Sequence, residues 1–67
     1  MEITLNGAAH QINQLVYSLA DLVAALNLSE KAIAVAVNRS IIPRQQWEQH
    51  QLQAQDIVDV VRAIGGG

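Results

Sequence analysis

Ser18-Leu-Ala-Asp-Leu-Val-Ala-Ala-Leu-Asn27 is the stretch on which the fold turns. Leu19, Leu22, Val23 and Leu26 fall at i, i+3, i+4 and i+7, so a helix here carries one apolar stripe. Ser18 suits the position before the helix, because its hydroxyl accepts a free backbone N–H. Asp21 suits the positive start of the helix. Asn27 tolerates the left-handed conformation that stops a helix. Such a stripe needs a sheet to cover it.

The flanking segments supply strands. Met1 to Leu5 alternates, with Ile3 and Leu5 on one face and Glu2 and Thr4 on the other. Asn6-Gly7 follows, the pair best suited to a type I′ hairpin turn, which needs positive φ at both central residues. The return strand runs from Ala8 to about Asn13. Beyond the helix, Ala32-Ile-Ala-Val-Ala-Val37 places Ile33, Val35 and Val37 on one face and the alanines on the other. Asn38-Arg39-Ser40 reads as a turn, and Ile41-Ile42 as a short strand ended by Pro43. Pro43 to about Gln49 holds a helical turn carrying Trp47, and Ile57 to Ile64 is the last strand. The order β-β-α-β-β-β predicts an α+β domain, a mixed sheet with one helix on one face, which is the β-grasp or ubiquitin-like arrangement. Residues 1–64 are expected to form that domain, and 65–67 a flexible glycine tail.

Composition narrows the function. A chain of 67 residues supports one small domain with little room for both a core and a substrate cavity. There is no cysteine, which removes disulfides, thiolate metal sites and cysteine nucleophiles together. The net charge is -2 and Lys31, Arg39, Arg44 and Arg62 are scattered. With Tyr17 and Trp47 as the aromatics, nothing resembles a basic stripe for nucleic acid. No basic, apolar leader follows Met1 and no apolar run approaches ~20 residues, so a cytoplasmic location away from membranes is expected.

Three of the four glycines are Gly65, Gly66 and Gly67, directly after Asp56-Ile-Val-Asp-Val-Val-Arg-Ala-Ile64. A glycine run at an end is also what a worn terminus or a cloning scar looks like. As a device, it offers a bare backbone ending in an α-carboxylate. In extended form it reaches roughly 10 Å and is narrow enough for another protein's channel. Glycines give no apolar surface to offset their ordering entropy, so the tail is expected to be mobile.

Three segments together carry a family resemblance: Ala34-Val-Ala-Val-Asn38, Ile41-Ile-Pro-Arg-Gln-Gln-Trp47, and Asp56 through Gly67. In these the chain resembles the ThiS-type sulfur carrier proteins of thiamin biosynthesis. One departure is Gln55, where many relatives place a turn glycine; it bears on local geometry and not on the chemistry. The resemblance implies that a ThiF-like adenylyltransferase, using ATP and Mg²⁺, converts the carboxylate of Gly67 to an acyl-adenylate. Sulfur from a cysteine desulfurase system then replaces AMP, and a ThiG-like thiazole synthase takes the sulfur from the resulting thiocarboxylate. Gly65 and Gly66 would thread the partner's site. The chain itself would be no enzyme, with no catalytic residue, no bound cofactor and no metal.

The remaining residues have structural readings. Trp47 is expected to cover the core, although tryptophan also anchors partners. Arg44 is expected to be solvated or to cap the sheet. His10 and His50 lack a carboxylate or second histidine at ligand spacing and are read as surface residues. If Val58 and Val60 face the helix, then Asp59, Val61 and Ala63 face outward, joined by Ala34, Ala36 and Thr4. That shallow apolar face is a candidate for partner docking. Three rival functions share the fold: a small subunit of molybdopterin synthase, a ubiquitin-like protein modifier, and an interaction module with an idle tail.

Overall fold

In the computed structural model, which describes residues 1–29 and 32–62, the opening alternation becomes β1 (Glu2–Leu5) and the return becomes β2 (Ala8–Gln11). The turn between them has φ of 50° at Asn6 and 83° at Gly7, the two left-handed residues that a type I′ hairpin requires. Helix α1 spans Leu19–Ala25, with Leu26 as its C-cap and Asn27 at φ 60°. Strand β3 is Ile33–Val37, β4 is Ser40–Ile41, a 3₁₀ turn covers Arg44–Gln46, and β5 is Ile57–Arg62.

The five strands lie in the order β2-β1-β5-β3-β4. Pairing is antiparallel except between the central strands β1 and β5, which run parallel with Thr4 opposite Ile57 and Leu5 opposite Val58. This is the expected mixed sheet. Ile3, Val35, Val37 and Val58 line the face that meets Leu19, Leu22 and Val23 of α1, and Ile12, Trp47 and Leu52 close the margins of that core. The stripe read from the sequence is therefore the buried side of the helix, with Leu26 packed half-buried against it.

Boundaries shift by small amounts for local reasons. The β3–β4 turn needs Asn38 and Arg39 alone, at φ 51° and 72°, so Ser40 pairs with Val37. The expected strand Ile41-Ile42 thus begins one residue earlier. Ile42 still donates its N–H to the Val35 carbonyl at 2.9 Å. The turn after Pro43 is 3₁₀ rather than a longer helix, held by the Gln46 and Trp47 N–H groups on Pro43 and Arg44 carbonyls. For the last strand, Ala63 and Ile64 lie outside the described residues, as does the 65–67 tail.

The helix start is fully satisfied. Its first N–H groups have no partner inside a helix. Leu19 donates to the His50 carbonyl at 2.8 Å, Ala20 to the Trp47 carbonyl at 3.1 Å, and Asp21 to Ser18 Oγ at 3.1 Å. Asp21 Oδ2 in turn accepts from the Ser18 and Tyr17 N–H groups at 3.1 and 3.2 Å. Ser18 thus caps the helix as expected, and the segment after the 3₁₀ turn is fastened to the same helix end.

Those two backbone N–H donors, Ser18's first and Tyr17's next, hold the Asp21 carboxyl below its ordinary pKa, because they favour the ionised form. The native state therefore binds the Asp21 proton more weakly than the unfolded chain. The cap is fully present above the unfolded pKa and fades as pH falls through the lower folded value. Carboxyl carbon NMR should give Asp21 a midpoint below that of an unstructured aspartate. The Tyr17 and Ser18 amides should lose protection in the same window, and a midpoint at or above the ordinary value would contradict the cap.

Gln55 sits at φ 70°, and its N–H reaches the Glu2 carbonyl at 2.7 Å. This is a left-handed position occupied by a residue with a Cβ, at a cost of roughly 1 kcal/mol. Gln55→Gly relieves it, partly offset by the greater freedom of glycine in the unfolded chain. The midpoint of thermal unfolding should rise by a few degrees, at most about 4–8 °C per kcal/mol for a domain this small. A lower midpoint would refute the assignment of strain.

Candidate functional site

The site expected from the sequence is the end of β5 together with the glycine tail. Gly65, Gly66, Gly67 and Ala63 lie outside the described residues. Asp59 and Val61 do not, and they share the sheet face away from α1. The register places Ala36 beside Asp59 and Ala34 beside Val61, while Val35 and Val37 pair with Val60 and Val58 on the helix side. The alternation read from the sequence therefore chose the correct face.

Several devices outside the strand ladders hold β5 in place. Asp56, 8% exposed, is the buried polar residue at its entrance. Asp56 Oδ1 accepts from Asn38 Nδ2 at 3.1 Å and Oδ2 from the Gln53 N–H at 2.9 Å. Asn38 answers with its own Oδ1, which accepts the Ile57 N–H at 2.9 Å, and with its N–H on the Ile57 carbonyl at 2.7 Å. At the other flank the Asn6 N–H reaches the Val58 carbonyl at 2.9 Å, and Asn6 Oδ1 accepts the Val60 N–H at 2.8 Å. Strand β1 has already turned away there, so a side chain stands in for the next rung of the parallel ladder. The sequence reading gave Asn6 and Asn38 to turns and missed these second roles. The available signal was that asparagine offers both a donor and an acceptor in a turn beside a strand.

The outward face is more apolar than the sequence reading supposed. Ile57 and Val61 on β5 are 44% and 61% exposed, and Ile41 on β4, opposite Ala36, is 74% exposed. Thr4 on β1 is half-buried. Period-two parity from Asp59 would have placed Ile57 here. Ile41 could not be assigned before the turn length was known.

Trp47 is packed, at 4% exposure, with Nε1 donating to the Ile42 carbonyl at 2.8 Å. Arg44 does more than was expected of a solvated or sheet-capping residue. Its guanidinium stacks 4.5 Å from the Trp47 ring centroid, and Nη1 donates to the Ser29 carbonyl at 2.9 Å. It ties the loop after α1 to the 3₁₀ turn. Beside it lies a hollow of about 410 Å³ lined by residues such as Val23, Ser29, Trp47 and Glu48. Among the described residues that hollow offers one carboxylate and no histidine, hence neither a carboxylate pair nor a nucleophile with a base. His10 and His50 are both partly buried, and no group of three His, Cys, Asp or Glu among the described residues is placed to hold a metal. No helix among the described residues is long and apolar enough to cross a membrane.

The family model described as the ThiS family matches residues 3–67, nearly the whole chain. This chain belongs to the ThiS family. It is 35% identical over 69 aligned positions to the sulfur carrier protein ThiS of Escherichia coli strain K12, covering 100% of both. It is 28% identical to the sulfur carrier protein ThiS of Bacillus subtilis strain 168, covering 97% of this chain and 98% of the relative. The crystal structure of a thiamine biosynthesis protein (ThiS) from Geobacter metallireducens superposes with a TM-score of 0.86 at 22% identity over 100% of both chains. The NMR solution structure of a thiamine biosynthesis protein from the same organism gives 0.79, covering 100% of this chain and 88% of that one. At that identity the likeness establishes the fold. The β-grasp arrangement expected from the element order, and the family expected from the motifs, are both borne out.

Within this ThiS chain the Asp56–Asn38 pair is the most buried polar anchor of β5. Asp56→Ala leaves the Asn38 amide and the Gln53 N–H without their acceptor, at a cost of about 1–3 kcal/mol. Asn38→Ala should cost a similar amount, and the double variant should cost less than the sum because the pair acts as a unit. Urea unfolding of the three variants checks this; strictly additive losses would show that the two residues act independently.

Proposed function

We propose that this chain is a sulfur carrier of thiamin biosynthesis whose working group is the α-carboxylate of Gly67. The observation that carries the reading is the match to the ThiS family through residue 67, with relatives named sulfur carrier proteins covered end to end. The geometry supports it in one respect: the strand leading to the glycines is central and fastened on both sides, whereas the hollow beside Trp47 has no reactive pair among the described residues.

The chemistry starts from the carboxylate. It is a poor electrophile at neutral pH. A ThiF-like adenylyltransferase using ATP and Mg²⁺ makes it an acyl-adenylate, in which AMP is a good leaving group. The terminal sulfur of a persulfide from a cysteine desulfurase system displaces AMP to give an acyl disulfide. A thiol such as cysteine then reduces its S–S bond to leave the thiocarboxylate, and a ThiG-like thiazole synthase receives that sulfur. The chain binds no cofactor of its own and performs none of these steps itself. It works in the cytoplasm, where its partners find ATP. Gly65 and Gly66 carry no Cβ, so another backbone can approach the tail closely. Asp59 and Val61 belong to the face that docks on the partner.

The test is intact mass after incubation with ATP, Mg²⁺, the adenylyltransferase, a cysteine desulfurase and cysteine. One oxygen should be exchanged for sulfur at Gly67. Gly66→Leu should keep the far-ultraviolet spectrum and thermal midpoint of the parent while giving no such product. An unchanged mass for the parent chain would point instead to an interaction module with an idle tail.

A further inference from the structure

Resting on the carrier reading, we infer that the outward sheet face is recognised through Asp59, and that the adenylyltransferase surface it meets is apolar and carries an arginine or lysine that pairs with that carboxylate.

Asp59 is half-buried in the middle of the face, with Ala36 beside it on β3 and exposed Ile57, Val61 and Ile41 close by. Among the described residues its side chain takes part in no hydrogen bond or ion pair. That sets it apart from the other aspartates: Asp21 holds a helix cap and Asp56 holds Asn38. The register adds a second observation. Across all five strands, the described positions on this face carry two carboxylates, Glu2 and Asp59, and no basic residue. Glu2 is exposed at the margin and accepts a hydrogen bond from Gln11. The face is thus apolar with one sign of charge, and its central charge has no partner of its own.

Such a face cannot dock on a plain apolar surface. Covering it would strip the remaining water from Asp59, and an ionised carboxylate buried without a counter-charge is strongly unfavourable. A cation placed opposite reverses that term, speeds encounter and fixes the register in which the two surfaces meet. It also excludes partners whose apolar patch lacks the cation or carries an acid. Asp59 lies on the strand that leads to the glycines, so fixing this register fixes where the tail enters the partner. Asp59 is a positioning and specificity residue; it touches no reacting atom.

The experiment uses the full chain with the ThiF-like adenylyltransferase of its source organism, monitoring pyrophosphate release as carrier concentration and salt are varied. Asp59→Asn should raise the KM for the carrier by roughly tenfold or more with kcat little changed, and should flatten its salt dependence. Asp59→Lys should raise KM further, to roughly a hundredfold. Thermal midpoints close to the parent's are expected, since no described interaction is lost. Unchanged KM and salt dependence for Asp59→Asn would overturn the inference while leaving the carrier reading standing. So would a variant that merely becomes less soluble, which would make Asp59 a guard against aggregation. No pyrophosphate release from the parent chain would overturn both.

Discussion

The parallel pairing of β1 with β5 is the constraint on which the rest depends. Two rungs, Thr4 with Ile57 and Leu5 with Val58, join segments more than fifty residues apart and put both at the centre of the sheet. Everything else is arranged around that seam. The hairpin adds β2 on one side, and β3 with its short return adds to the other. The helix covers the face that this pairing assembles from Ile3, Val58 and Val35. The seam is short, and it is lengthened by groups that are not part of it. The Gln55 N–H bonds to Glu2 and the Thr4 N–H to the Asp56 carbonyl at one end, and Asn6 bonds Val60 at the other.

Local features were legible in the sequence because local physics sets them. Asn6-Gly7 can hardly be anything but a tight hairpin turn, Ser18 with Asp21 can hardly be anything but a helix start, and the alternation from Ala32 to Val37 has one inward face. The outward placement of Asp59 and Val61 came from the same alternation. What the sequence could not supply was partnership across distance. Nothing local tells Asn38 that its amide will meet Asp56, or tells Asn6 that its side chain will continue a ladder its backbone has left. The stacking of Arg44 on Trp47 was hidden for a different reason. The residues stand three apart, and the 3₁₀ turn, with its near three-residue period, brings them face to face. Gln55 shows the converse case. A family pattern flagged the position, and its backbone angle supplied the physical reason.

The candidate site divides into two kinds of surface. The interior side is closed: the Trp47 indole, the Asp56 carboxylate and the helix start all have their partners within the chain. The outward side exposes Ile41, Ile57 and Val61 around the Asp59 carboxylate, which has no partner among the described residues. A carrier gains from this division. Its described core and anchors are satisfied within the chain, so in that proposed role docking calls for no refolding of the body. In the proposed carrier role, selectivity falls to the face and reactivity to the terminus, and each can alter by substitution without disturbing the other.

The topology also bears on when such a protein becomes competent. β5 is the last of the described strands and a central one in the sheet, so a ribosome-bound segment that stops short of residue 57 holds two separate pieces: a hairpin on one side, and β3 with β4 on the other. Neither can close over the helix. Closure of the sheet therefore waits for β5, whose pairing joins the two pieces. A chain truncated before β5 would lack the strand that carries Ile57, Asp59 and Val61 and so have no finished outward face. The order of the strands acts as a completeness check, in which a folded surface certifies that translation has gone through the closing strand.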